Sequence, residues 1–157
     1  MKILLTAINA KYIHSNLAVY SLKAYAQSRV KDSDTEIALA EYTINQQTDD
    51  ILMDIYRRKP DVLCFSCYIW NISYVETVLR EVHKVLPDTK IWLGGPEVSY
   101  DAVAVLKRLP EVTGVMKGEG EETFAELSEG TELVGLQGIT CRREDGEIVE
   151  NPWRPVM

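Results

Sequence analysis

The chain has 157 residues, of which 46% are hydrophobic and 26% charged, and a formal net charge of −7. That length and make-up fit one globular domain with a core of its own. No apolar run approaches the ~20 residues a membrane span needs, and the acidity argues against general nucleic-acid binding, which needs clustered Lys and Arg to neutralise phosphates.

The first stretch is apolar only as far as Ile8 and lacks a small-residue cleavage site, so no secretory leader is expected. Lys2 to Ile8 is a continuous apolar run, as in a parallel sheet covered on both faces. Ser15 to Val30 follows as a helix with Leu17, Tyr20, Leu22, Ala24 and Tyr25 as its apolar face and Ser15 or Asn16 as its cap. Thr35 to Ala40 is a second strand. Thr48 to Arg58 is a second helix, with Thr48 as N-cap, Ile51, Leu52 and Ile55 on one face, and Pro60 enforcing its end. The basic run Arg57-Arg58-Lys59 complements that helix's dipole and needs no ligand.

Asp61 to Phe65 is the third strand. Ile72 to Leu86 is the third helix, with Val75, Val78, Leu79, Val82 and Leu86 as its core stripe and Pro87 as its stop. Lys90 to Leu93, Tyr100 to Leu109, Val112 to Lys117 and Glu121 to Ser128 continue as strand, helix, strand, helix. Such alternation predicts right-handed crossovers and a doubly wound α/β fold, a five-stranded parallel sheet of order 2-1-3-4-5 in the flavodoxin-like (Rossmann-like) manner. Gly138 to Glu150 reads as a hairpin around Asp145-Gly146, and the proline-rich end Asn151-Pro152-Trp153-Arg154-Pro155 reads as a linker.

Three cysteines are present. Cys64 and Cys67 form a C-x-x-C pair, but Cys64 sits inside the apolar run Val62-Leu63-Cys64-Phe65, where a small buried side chain is the expected role. A zinc site would need two more ligands, and the histidines are His14 and His83. Unpaired thiols fit a reducing, cytoplasmic setting.

Two turns carry the functional signal. Gly94-Gly95-Pro96 and Gly118-Glu119-Gly120 each follow a buried strand and precede a helix, at the strand ends where open parallel sheets bind ligands. Glycine there lets a backbone or a ligand approach with no Cβ in the way. A tight turn before Pro96 would explain one glycine; two in succession favour a ligand. The helix beginning near Glu121 offers free N–H groups to a phosphate or ribose, while Glu121 and Glu122 are ordinary dipole complements. Tyr68 and Trp70, just past the third strand, are either lids on the helices or a wall against a ligand.

Over most of its length the chain resembles the cobalamin-binding domain that precedes the catalytic domain of many radical S-adenosylmethionine enzymes. The resemblance rests on Gly94-Gly95-Pro96-Glu97 and Gly118-Glu119-Gly120-Glu121-Glu122-Thr123-Phe124, with Ser66 and His14 as weaker support. It implies a cofactor held by Asn9, Tyr12, His14, Ser66, Tyr68, Gly94, Gly95, Pro96, Glu97, Gly118, Glu119 and Gly120. Ser66 would bond the dimethylbenzimidazole tail, or simply turn the chain. Glu119 would accept from ribose hydroxyls or a corrin amide. In mutases and methionine synthase the first loop carries D-x-H-x-x-G, whose His ligates cobalt. Aligned on His14, Tyr12 replaces the Asp and Leu17 the Gly, so the second shell that sets ligand basicity departs from the pattern. Many radical-enzyme relatives bind cobalamin without a protein imidazole.

The resemblance further implies that residues 1–135 are the cobalamin-binding unit. Residues 136–157 would be the hairpin and linker toward a radical S-adenosylmethionine domain on the same polypeptide, one carrying a [4Fe-4S] cluster and most plausibly a methyltransferase. The C-x-x-x-C-x-x-C motif of that domain is absent from these residues, so no catalysis is expected of this chain alone. The alternative is a flavodoxin-like interaction or regulatory module with a degenerate cobalamin site. Other users of the fold fit less well. A receiver would need an acidic pair where Asn9-Ala10 stands and an Asp at Ser66, and only Lys117 matches. Neither a flavodoxin phosphate loop nor G-x-G-x-x-G follows the first strand.

Overall fold

A computed structural model describes residues 1–9, 17–29, 35–118, 120–130 and 132–155. An interior strand, β1 (Lys2–Asn9), is buried at every residue except Lys2. The position explains the unbroken apolar run: β1 pairs in parallel with β2 (Glu36–Thr43) on one side and β3 (Val62–Ser66) on the other. β4 (Lys90–Gly94) and β5 (Gly114–Met116) extend the parallel sheet in the expected order.

The hairpin, β6 (Ile139–Arg142) and β7 (Ile148–Glu150), is not an appendage to a five-stranded sheet. β6 pairs antiparallel with β5 and β7 with β6, giving a seven-stranded sheet of order β2-β1-β3-β4-β5-β6-β7. A bare β5 edge would leave a row of unpaired N–H and C=O groups, and the hairpin covers it.

Helices sandwich the sheet and divide its core in two. α2 (Thr48–Arg58), α3 (Ile72–Val85) and α5 (Ala102–Arg108) bury Ile51, Ile55, Val75, Val78, Leu79, Val82, Val105 and Leu106 against one face. α1 (Leu17–Arg29) and α6 (Glu121–Ser128) cover the other, with Val19, Ala26, Phe124 and Ala125 buried against Ile3, Leu5, Cys64 and Trp92.

Local differences from the sequence reading have physical causes. Among the side chains of α1 that are described, Val19 and Ala26 are buried and Leu22 is half-buried, whereas Tyr20, Ala24 and Tyr25 are exposed; a tyrosine tolerates water through its hydroxyl, and Tyr20 donates to Glu41. The cap candidates Ser15 and Asn16 lie outside the described residues. Gln47, not Thr48, occupies the N-cap of α2, without a side-chain bond. Lys59, in the left-handed region at φ 47°, closes that helix by donating its N–H to Ile55 O. The helix expected from Tyr100 to Leu109 is α5, and a short α4 (Pro96–Ser99) that the sequence reading did not expect precedes it.

Candidate functional site

The parallel register brings the carboxyl ends of the strands to one rim: Ala7 lies beside Ser66, and Ser66 beside Gly94. Below that rim is a cavity of about 480 Å³. Leu5, Cys64 and Met116 of the sheet and Val19 and Leu22 of α1 form its apolar walls, and Ser66, Tyr68, Gly94, Gly95, Pro96 and Gly118 form its mouth. It therefore runs from a glycine-rich opening into a slot between sheet and helix.

Hydrogen bonds lock the loops around the mouth into one unit. Asn71, buried at 1% exposure, donates its amide to Ile8 O and Ser66 O, both at 3.0 Å, and accepts from Tyr68 N–H at 2.8 Å. It thereby ties the β3 loop to the end of β1. Cys67 N–H donates to Gly94 O at 2.7 Å, joining that loop to the next turn. Ser99 then joins the two glycine turns, its hydroxyl donating to Gly95 O at 2.8 Å and accepting from Gly118 N–H at 3.3 Å.

Aromatic rings crown the mouth. Tyr68 and Trp70 stack with ring centres 4.4 Å apart and planes 8° apart. Tyr100, which also lines the cavity, stacks on Trp153, 5.4 Å between centres. The segment read as a linker is thus packed against the rim. Lys117, 3% exposed, donates to Asn151 O at 2.8 Å and lies 5.2 Å from the Trp153 ring centre. Asn151 donates to Leu133 O and Leu136 O, and Arg154 bridges to Thr123 and Glu126 on α6.

Of the sequence candidates, Ser66, Tyr68, Gly94, Gly95, Pro96, Gly118 and Gly120 line one cavity. Asn9 ends β1, buried, its carbonyl accepting from Ile44 N–H, and Glu97 is exposed with its N–H directed at Cys67 O. Neither lines the cavity. Tyr12, His14 and Glu119 lie outside the described residues, so the proposed cobalt ligand and the ribose acceptor have no described position. The ligand argument for the glycine pair needs correction at Gly95. Its φ of 103° and ψ of 170° are glycine-only backbone, and a Cβ there would stand 2.4 Å from Cys67 O, so the turn itself demands the glycine. At Gly94 a Cβ meets only Met116 O, at 3.8 Å, and the space beyond belongs to the cavity. Gly118 and Gly120, at φ 80° and 83°, also serve the backbone.

Sequence reasoning missed Ser99, Tyr100, Asn71 and Trp153. For Trp153 a signal was present, an aromatic between two prolines; for Tyr100, Ser99 and Asn71 nothing local distinguishes them from other loop residues.

The cysteines lie inside the fold. All three are free and buried. Burial pushes the Cys64 thiol up to about 12 and raises that of Cys67 further, with the Gly94 hydrogen bond opposing only in part. These are packing thiols, as the apolar run at Cys64 suggested. Among the described residues no group of three His, Cys, Asp or Glu side chains could hold a metal ion, and no helix is long and apolar enough to cross a membrane.

A cavity with a glycine-built mouth and apolar depth suits a long, partly planar ligand, and the comparisons point the same way. The fold is that of the cobalamin-dependent S-adenosylmethionine radical enzyme OxsB with aqua-cobalamin and S-adenosylmethionine bound: TM-score 0.78 at 18% identity, over 99% of this chain and 22% of that one. In sequence the chain is 31% identical over 96 residues to the cobalamin-dependent radical SAM methyltransferase TokK of Streptomyces tokunonensis, covering 58% of this chain and 14% of TokK. It is 40% identical over 101 residues to 2-(S-pantetheinyl)-carbapenam-3-carboxylate methyltransferase of Streptantibioticus cattleyicolor, covering 61% and 14%. An uncharacterized methyltransferase of Pyrococcus horikoshii matches at 29% over 112 residues, covering 69% and 24%. The chain thus spans 24% or less of the length of each of these curated relatives. The model of the B12 binding domain matches residues 3–128, and the chain belongs to the B12-binding domain family.

Proposed function

We propose that this chain is the cobalamin-binding part of a larger radical S-adenosylmethionine enzyme, a methyltransferase in reaction class, whose catalytic barrel belongs to the same polypeptide. The observation that carries the reading is the cavity at the strand carboxyl ends, opening between two glycine turns onto an apolar slot. That slot is the right shape for a nucleotide tail ending in dimethylbenzimidazole, a flat and largely apolar group.

In this reading Leu5, Val19, Leu22 and Met116 hold the tail's base, and Ser66 and the Gly94 and Gly118 turns border its sugar and phosphate. Tyr68, Trp70, Tyr100 and Trp153 flank the corrin and keep water from its edges. Cobalamin supplies a methyl group for transfer, and the [4Fe-4S] cluster that cleaves S-adenosylmethionine belongs to the barrel, since these residues contain no cluster motif. His14 stays a candidate cobalt ligand. The three free thiols support a cytoplasmic setting, and neither nucleic acid nor membrane is a partner in this reading.

Incubation with hydroxocobalamin followed by gel filtration tests the proposal. The expected result is about one corrinoid per chain, seen in the visible absorbance of the protein peak. A colourless protein peak would overturn it and leave an interaction module with a degenerate site.

A further inference from the structure

We infer that Ser99 is a positioning residue that sets the width of the tail slot by clamping the two glycine turns to each other. The inference rests on the cobalamin reading above. Ser99 ends α4, is 4% exposed, and borders the cavity. Its hydroxyl proton goes to Gly95 O and its oxygen accepts the Gly118 N–H, so both ends of one short side chain are committed, each to a different turn.

The geometry gives this contact more consequence than an ordinary loop hydrogen bond. Gly94 and Gly95 are already fixed, through Cys67 and Asn71, to the ends of β3 and β1. The Gly118 turn leaves β5, the shortest of the parallel strands, which pairs with β4 only through Trp92–Gly114 and Leu93–Val115. Beyond those pairs Ser99 supplies a side-chain bridge from the β4 turn to the β5 turn. Without its hydroxyl, Gly118 N–H loses its acceptor while Gly95 O keeps the backbone N–H groups of Val98 and Ser99. The Gly118 side of the mouth is then the less constrained of the two, held from its far side by Lys117, which donates to Gly138 O and Asn151 O.

The clamp joins the two turns that border the slot, whereas the Tyr68–Trp70 stack stands on the separate β3 loop held by Asn71, so its effect falls chiefly on the part of the ligand that enters the slot.

Cobinamide, which has the corrin but lacks the nucleotide tail, separates these parts. Equilibrium binding of cobalamin and of cobinamide is measured by absorbance for the parent chain, Ser99→Ala and Ser99→Thr. Loss of one neutral hydrogen bond at the slot predicts cobalamin bound roughly tenfold more weakly by Ser99→Ala. Cobinamide binding should be unchanged, and Ser99→Thr, which keeps the hydroxyl, should recover most of the loss. Equal weakening of both ligands marks a merely structural residue and overturns the inference, as does cobalamin binding unchanged by Ser99→Ala. If Ser99→Ala does not fold, Ser99→Cys, of like shape but a poor hydrogen bonder, takes its place with the same expected split. A parent chain that binds neither corrinoid overturns the cobalamin reading itself, and this inference with it.

Discussion

A Cβ at Gly95 would stand 2.4 Å from the carbonyl oxygen of Cys67 and 2.9 Å from its nitrogen, so the β4 turn and the β3 loop meet backbone to backbone. Cys67 N–H donates to Gly94 O and Glu97 N–H approaches Cys67 O, at 2.7 and 3.4 Å. The contact fixes two walls of the cavity mouth relative to each other before any ligand arrives, which is how a site comes to be largely pre-formed.

Gly95→Ala should therefore behave as a folding variant. A side chain at φ 103° costs about 1–3 kcal/mol, and the clash with Cys67 adds a similar amount. Urea unfolding should show a loss of about 3 kcal/mol or more, or no folded protein. A variant as stable as the parent would mean that the turn is not built this way.

Gly94→Leu is the cleaner test of the cavity. No backbone strain stands against it, and its Cβ has 3.8 Å to the nearest atom, so stability should change by no more than about 1 kcal/mol. The longer side chain enters the slot, and cobalamin affinity should fall at least about tenfold, or about 1.4 kcal/mol. Undiminished affinity in a folded Gly94→Leu protein would place the tail elsewhere.

Thiol reactivity checks the packing reading of the cysteines. With Cys64 pushed up to about 12 by burial and Cys67 raised further, neither is a thiolate near neutrality. Cys141 is also raised by burial, opposed in part by Arg143. Ellman's reagent at pH 8 should find essentially no fast-reacting thiol in the native protein and three after denaturation. A rapid native phase would contradict it.

Asp54 gives the pH prediction. Burial raises its pKa, but hydrogen bonds from Tyr42, at 2.5 Å, and Arg58, at 3.0 Å, outweigh burial and leave it below the usual carboxylate range. A depressed folded pKa contributes stability above the unfolded value, and that contribution is lost as pH falls through the folded one. Asp54→Asn should cost less than about 1 kcal/mol at pH 7, because the pair with Arg58 is half exposed. The difference should shrink toward zero as the pH falls below the ordinary carboxylate range and Asp54 is protonated. A gap that widens in acid would refute the assignment.

What the sequence determined by itself was whatever local periodicity encodes. The continuous apolar run of β1 marked a strand buried on both faces, the stripe Val75-Val78-Leu79-Val82 marked the inner face of α3, and five alternations marked a doubly wound parallel sheet. The glycine turns were legible for the same reason, since glycine just past a buried strand is a local signal. Tertiary structure decided what depends on residues far apart in the chain. Asp145-Gly146 encodes a hairpin, but only the open edge of β5 determines that the hairpin pairs there. Tyr20 and Trp70 look alike on an apolar count, yet one bonds Glu41 in solvent and the other stacks beside the cavity. Ser99 is one polar residue among many until the fold brings Gly95 O and Gly118 N–H within reach of one hydroxyl. A hydrogen bond across 19 residues of sequence leaves no periodic trace, because its partners are selected by geometry and not by spacing.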